Sequence, residues 1–300
     1  MDSLVLKAHA KVNLGLWVGR KRPDGFHDIV TIVAPVAFHD TVSIRTAPRN
    51  IVLGPAGAGP QVARGNLAVP WDSGNLAYRA AAAFFRAARI QAGCSIRITK
   101  RIPVGGGLGG GSADAAAVLA GLNQLYGQPL SPRRLSRIAA SIGSDVPALL
   151  KGRPCIARGR GEKIRAVRLP RLELLLCLPP YAVATAWAYR AVDRLRTGGQ
   201  GLTRPTISPK ILRAALRRNE LDGLAAQLSN SFEPAVFRRF PALGRARKLL
   251  LRHGALAASL SGSGSTVYGL VRTKGWKDPM AALARRGFHC VKTSTVPTAE

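Results

Sequence analysis

Acidic residues are the scarcest resource in this chain. Its 300 residues include 45 Lys and Arg but only 15 Asp and Glu, a formal charge of +30. Cysteine is nearly as sparse. Cys94, Cys155, Cys177 and Cys290 stand far apart with no C-x-x-C pair, and the five histidines form no H-x-x-x-H. Neither a zinc site nor a disulfide scaffold is supported, and reduced thiols are expected. Long apolar runs are missing as well. The best one, residues 172–189, is cut by Pro179-Pro180, so no membrane partner is expected. The N-terminal segment carries Lys7 and Lys11 inside its apolar run, unlike a signal peptide, and a cytoplasmic location is expected.

An excess of positive charge favours anionic partners. Here the bases are scattered in short groups such as residues 20–22 and 245–252, not gathered in a tail or an aromatic-studded segment. Salt-sensitive, non-specific attraction to nucleic acid is expected, and no specific nucleic-acid partner.

What the chain has in abundance is glycine, at one place. Residues 101–122 read RIPVGGGLGGGSADAAAVLAGL, with six glycines in seven positions. Glycine is costly to order, so such a run needs a local reason. An alanine-rich helix is expected to follow, with Ser112 as its cap and Asp114 at the positive end of its dipole. A glycine loop opening onto a helix N-terminus gathers bare N–H groups and suits phosphate. No lysine follows, which excludes a P-loop. Gly105, Gly107 and Gly110 fit G-x-G-x-x-G, but no Asp or Glu lies between Asp114 and Asp145 to hold a ribose. HRD and DFG are absent, which excludes the eukaryotic protein-kinase set.

The coarse pattern is α+β. Strands are expected over 3–19, 28–36, 40–46 and 94–103, then a buried strand from 172. A glycine-punctured pair over 255–271 and a last strand near 288–296 complete the set. Helices are expected over 75–93 with a stop at Gly93, and over 131–143 with Ser131 as cap and Pro132 in the first turn. Another is expected to start at Ser144, and more near 208–218, 220–229, 241–253 and 277–286. Residues 157–165 and 198–205 read as connections. Two side chains stand out. Lys11 is a lone charge in an apolar strand, awkward to bury unless it meets an anion. Asp145 stands at an expected helix start, where it serves as a cap or as an acid with chemistry to do.

Several segments together carry a resemblance. Pro103 to Ala113 follows the form P-x-x-x-G-L-x-x-x-S-A, and a second glycine turn occurs in SLSGSGSTV at 259–267. By these the chain resembles the GHMP kinase superfamily. AKVNLGL (10–16), RPDGFHDI (22–29), GNLAYRA (74–80), GSDVP (143–147) and SNSFEPAV (229–236) are similar to one branch of it. That branch phosphorylates the 2-hydroxyl of 4-diphosphocytidyl-2-C-methyl-D-erythritol in the non-mevalonate isoprenoid precursor pathway. The resemblance covers about residues 8–270.

The resemblance implies a two-lobed fold. An N-terminal lobe like ribosomal protein S5 domain 2 would span 1–160, and a ferredoxin-like lobe 161–300, with the substrate between them. It implies ATP as co-substrate, with Mg²⁺. Pro103, Val104, Gly105, Gly106, Gly107, Leu108, Gly109, Gly110, Gly111, Ser112 and Ala113 would form the ATP loop. Ser112 would also face the metal, and Asn75 and Lys100 would serve the ATP side. Asp145 would be the base, Lys11 its electrostatic partner, and Asn13 a ligand to a substrate hydroxyl. At the cytidine end His27 would read the base edge. Phe26 replaces the family's tyrosine, so it can stack but has no phenol to bond. Thr185 and Tyr189 would complete the substrate site. The alternatives are another GHMP kinase, acting on homoserine, mevalonate or a sugar, and a basic nucleic-acid-binding protein on the S5-like fold. The oligomeric state is not legible.

Overall fold

The computed structural model describes residues 2–57, 68–197, 221–226, 228–271 and 279–296. The expected connection at 198–205 and the helix near 208–218 lie outside these residues.

The chain begins with two long antiparallel strands, β1 (Ser3–Lys21) and β2 (His27–Ala47). Along β1 the even positions Ala8, Ala10, Val12, Leu14, Leu16 and Val18 are all buried, the period-two pattern that the sequence displays. Lys11 and Asn13 point the other way and are buried too, against Gly109 of the glycine loop, Thr31 of β2 and the turn at Gly262. The expectation of two strands at 28–36 and 40–46 is corrected: β2 is continuous. Its outer edge changes partner along the way. Ile29–Val33 pairs with β5 (Cys155–Gly159), and Thr41–Ala47 pairs with β4 (Gly93–Thr99). Buried Asp40 sits at the changeover and accepts the N–H groups of Arg101 and Ile102. β3 (Ile51–Pro55) adds to β4 in parallel, and β6 (Lys163–Ala166) adds to β5, completing a six-stranded sheet. Residues 157–165 are therefore a hairpin rather than a loose connection.

Helices cover one face of this sheet. α1 (Leu76–Ala88) is capped by Asn75 and stops at Arg89, in left-handed conformation, four residues before the expected stop. Gly93 instead opens β4, where a Cβ would lie 1.9 Å from the Asn50 carbonyl oxygen. α2 (Gly110–Leu125) starts earlier than expected, with Gly109 as its cap at φ 68°. Ser112 is thus a first-turn residue and not the cap. α3 (Pro132–Ile142) has the Ser131 cap and the Gly143 stop that the sequence calls for, and α4 (Val146–Leu150) follows. Phe84, Val118, Leu119 and Leu122 from α1 and α2 close a core over Ile44, Ile96 and Ile98.

The second layer runs β7 (Glu173–Leu178), α5 (Thr185–Thr197), α6 (Leu221–Ala226), α7 (Glu233–Arg239), α8 (Pro241–Arg252), β8 (Ala257–Leu260), β9 (Val267–Val271), α9 (Met280–Ala284) and β10 (His289–Ser294). Its sheet is antiparallel in the order β10-β7-β9-β8. Numbered within the sheet this is 4-1-3-2, the ferredoxin-like arrangement. The fold is α+β, as expected. β1 is the seam between the layers: Leu16 N–H donates to the Ser229 carbonyl at 2.8 Å, and Ser231 N–H donates to that of Leu16 at 2.9 Å. Val12 and Leu14 share one core with Leu174, Leu176 and Tyr268 of the second sheet.

Candidate active site

A cleft of about 840 Å³ opens between the two layers. β1, the glycine loop, the start of α4, the first turns of α5 and the second glycine turn all reach it.

The glycine loop forms one wall. Gly105, Gly106, Gly107, Gly109, Gly110, Gly111 and Ser112 line the cleft, as do Pro103 and Val104. Leu108 and Ala113 do not: both turn into the core, and the Leu108 carbonyl accepts the Lys11 N–H at 2.9 Å. The second glycine turn lies directly beneath. Thr266 N–H donates to the Gly106 carbonyl at 3.0 Å, and the Ser261 hydroxyl donates to that of Gly107 at 2.9 Å. That turn is itself held by Asn230, whose amide nitrogen donates to the carbonyls of Leu260 (2.7 Å) and Gly262 (2.8 Å).

Lys11 is 4 % exposed and meets the anion that its burial requires. Its Nζ lies 3.4 Å from Oδ2 of Asp145, a residue 37 % exposed to the cleft. Lys11 Nζ also donates to Asn13 Oδ1 at 2.5 Å, and Asn13 Nδ2 donates to the Thr31 hydroxyl at 2.9 Å. Asp145 precedes α4 but makes no side-chain cap bond, so its carboxylate is available to the cleft. Gly109 brings the glycine loop against this pair, since a Cβ there would sit 3.1 Å from Lys11 Cγ.

At the far end His27 is buried, not a surface turn residue. Its Nε2 lies 2.8 Å from Asp193 Oδ1, and its ring stacks on Tyr189 at 4.9 Å and 24°. Tyr189 packs edge-on against Phe232, and burial pushes its phenol up to about 12. Thr185 and Ser263 share a hydroxyl hydrogen bond of 3.0 Å, joining α5 to the second glycine turn. Phe26 stands at the mouth, 49 % exposed, with Arg160 over its ring.

Asn75 and Lys100 line the same cleft as the glycine loop, and both have structural duties. Asn75 Oδ1 accepts the Ala77 N–H and its Nδ2 donates to the Pro70 carbonyl. Lys100 is no surface charge. It is buried between Asp40 and Asp114, its Nζ 2.7 Å from Asp114 Oδ2. Burial raises the Asp114 carboxyl to about 7, against the pull of Lys100. Lys100→Met would strand two carboxylates, and breaking a buried pair costs about 3–5 kcal/mol. Urea unfolding is expected to read a loss of that size; a loss below about 1 kcal/mol would mean the cluster carries little stability.

Among the described residues no group of three or more His, Cys, Asp and Glu side chains could hold a metal ion. Mg²⁺ arriving on a triphosphate needs only one or two protein oxygens, and the Ser112 hydroxyl in the cleft wall fits that demand. Asp193, Arg160 and Asp40 escaped the sequence reading, and Asn230, inside the quoted 229–236 segment, was given no role there. Asp193 meets His27 across 166 positions and carries no local signal. No helix among the described residues is long and apolar enough to cross a membrane.

Residues 75–153 match the family model of the GHMP kinases N terminal domain, and residues 212–284 match that of GHMP kinases C terminal. A 4-diphosphocytidyl-2-C-methyl-D-erythritol kinase of Pelotomaculum thermopropionicum is 38 % identical over 280 residues, covering 93 % of each chain. One from Synechococcus sp. is 40 % identical, covering 90 % of this chain and 86 % of its own. A crystal structure of a 4-(cytidine 5'-diphospho)-2C-methyl-D-erythritol kinase superposes with a TM-score of 0.77 at 33 % identity, covering 98 % of this chain and all of its own. Homoserine kinase from Cytophaga hutchinsonii shares the fold, with a TM-score of 0.72 at 20 % identity. The chain belongs to the GHMP kinase family, among its 4-diphosphocytidyl-2-C-methyl-D-erythritol kinases.

Proposed function

We infer that the protein transfers the γ-phosphoryl group of ATP to the 2-hydroxyl of 4-diphosphocytidyl-2-C-methyl-D-erythritol. The observation that carries this reading is the Lys11–Asp145 pair, set against the glycine loop inside one cleft. Phosphoryl transfer asks for positioning and charge neutralisation more than covalent chemistry. Backbone N–H groups of the loop and the α2 terminus receive the triphosphate. Asp145 accepts the hydroxyl proton as the oxygen attacks the γ-phosphorus. The bond from that phosphorus to the bridging oxygen breaks, and ADP leaves. Lys11 stabilises the oxyanion, and Asn13 holds Lys11 in line. Ser112 would hold Mg²⁺, which when bound neutralises phosphate charge. His27, fixed by Asp193, presents a ring edge to cytosine, beside Tyr189 and Phe26.

We place the lobe boundary between β6 and β7, at 167–172, rather than at 160/161. The hydrogen bonds of β6 to β5 favour this division. A cytoplasmic location agrees with this chemistry.

The test is ADP release with Mg·ATP, offering the cytidylylated acceptor beside mevalonate, homoserine and galactose. Turnover with the cytidylylated acceptor alone is expected. Turnover with another acceptor would keep the family and replace the substrate.

A further inference from the structure

An asparagine amide carries an acceptor at one end and donors at the other, and only one orientation of Asn13 serves Lys11. With Oδ1 turned to the lysine, Lys11 Nζ donates to it at 2.5 Å. With the amide turned over, an NH₂ group would face an ammonium, donor against donor, and drive Lys11 out of line with Asp145. The main chain of Asn13 is fixed by the Tyr268 hydroxyl, which donates to its carbonyl at 3.1 Å. That contact leaves the side-chain choice open.

A group behind the cleft makes the choice. Thr31, on β2, is 2 % exposed and does not line the cleft. Its hydroxyl donates to the Gly15 carbonyl at 2.7 Å, with the Ile32 carbonyl at 3.4 Å as a longer second acceptor. A carbonyl oxygen can only accept, so the single hydroxyl proton is committed there and a lone pair is left toward Asn13. That lone pair takes the Nδ2 end, at 2.9 Å. The direction of every later bond follows from the first, through the Thr31 hydroxyl and the Asn13 amide to Lys11 and Asp145. A β-bulge aims the starting carbonyl. Leu14 and Gly15 of β1 stand against Ile32 alone, between the pairs Asn13–Val33 and Leu16–Thr31, and Gly15 takes φ 81°. Gly262 closes the remaining side: a Cβ there would sit 3.3 Å from Asn13 Oδ1 and 3.4 Å from Lys11 Nζ.

We propose that Thr31 is a positioning residue for phosphoryl transfer, whose hydroxyl fixes the orientation of the Asn13 amide and through it holds Lys11 on Asp145. This rests on Lys11 and Asp145 carrying the transfer. Thr31 touches neither nucleotide nor acceptor, so it acts on kcat and leaves binding alone.

Steady-state kinetics of wild type, Thr31→Val and Thr31→Ser test this, with thermal melting to show that each variant is folded. Valine keeps the shape and removes the hydroxyl; serine keeps the hydroxyl and removes the methyl. Thr31→Val is expected to lower kcat about tenfold or more, as misplacing a reacting group does, with both KM values within about threefold of wild type. Thr31→Ser should stay within about threefold of wild-type kcat, because the bond that sets the amide is kept. In an Asn13→Ala background Thr31→Val should change kcat by less than about twofold, since residues acting in one chain are not additive. An undiminished kcat in Thr31→Val, an equal loss in Thr31→Ser, or a loss that persists in full beside Asn13→Ala would overturn the proposal. If Thr31→Val does not fold, Thr31→Ala, which also lacks the hydroxyl, takes its place in each comparison. Crystal structures of wild type and the hydroxyl-less variant read the distance from Lys11 Nζ to Asp145 Oδ2. It is 3.4 Å with the hydroxyl and should exceed about 4 Å, the limit of an ion pair, without it; an unchanged distance would also overturn the proposal. A wild-type protein inactive on every acceptor would overturn the functional reading instead, and that distance would still decide Thr31.

Discussion

Asp145→Asn is expected to lower kcat by about 10³-fold, within the range that a positioned general base supplies. The side chain keeps its size, so the cleft keeps its shape, but an amide oxygen is far too weak a base to take the proton that the proposed mechanism gives to the carboxylate. Lys11 loses its carboxylate at the same time, 3.4 Å away, and keeps the Asn13 amide oxygen at 2.5 Å. The lysine should therefore stay in place, and the variant should stay folded. ATP affinity should hardly change, because in the proposed mechanism the triphosphate is received by backbone of the glycine loop and the α2 terminus, away from Asp145. Single-turnover kinetics with an independent nucleotide-binding measurement separates these effects. A variant with kcat within about tenfold of wild type would remove Asp145 from the role of base, since that loss is below what general bases contribute. A variant that loses ATP binding would make Asp145 a nucleotide ligand instead.

How much of this site the sequence announces depends on the distance over which each element is built. The glycine loop is legible because its parts are contiguous. Six glycines before an alanine-rich run can be read as backbone laid open to phosphate. Lys11 is legible because a charge inside an alternating apolar strand needs a buried anion. The cap of α2 was misplaced for a local reason. Gly109 adopts φ 68°, so the helix starts at Gly110 and Ser112 enters the first turn. The long-range pairs had no such signal. His27 and Asp193 are set together by the packing of α5 against the start of β2, and Asp40 reaches Lys100 only where β2 exchanges β5 for β4. A side chain such as Lys100 looks like a surface charge until the changeover in that strand is known. Phe26 was visible as a departure from tyrosine, but its stacked partner lies on another hairpin.

The glycine loop carries the second large effect, and it separates two neighbouring residues of the same type. Gly107→Ala is expected to damage the protein at once, and Gly111→Ala to leave it stable. At Gly107 φ is +76°, and a Cβ would fall 2.1 Å from the Ser261 carbonyl oxygen and 2.8 Å from that of Gly264. Both obstacles are backbone, so no side chain can swing aside. The loop would have to lift off the second glycine turn, breaking the Ser261 hydroxyl bond to the Gly107 carbonyl and the Thr266 bond to the neighbouring Gly106. The strained conformation alone costs about 1–3 kcal/mol, so a loss of at least 2 kcal/mol is expected by urea unfolding. Whatever folds should show KM for ATP raised by about tenfold or more, because a 1 Å misplacement of a binding element costs that much or more. At Gly111 the φ is ordinary and the nearest atom to an added Cβ is Leu76 Cδ1 at 3.7 Å. Alanine there should gain up to about 1 kcal/mol of helix propensity. If both variants prove equally stable, the two glycine turns do not bear on one another in solution, and the coupling between the first glycine loop and the second layer must be sought at Asn230 and the β1 seam.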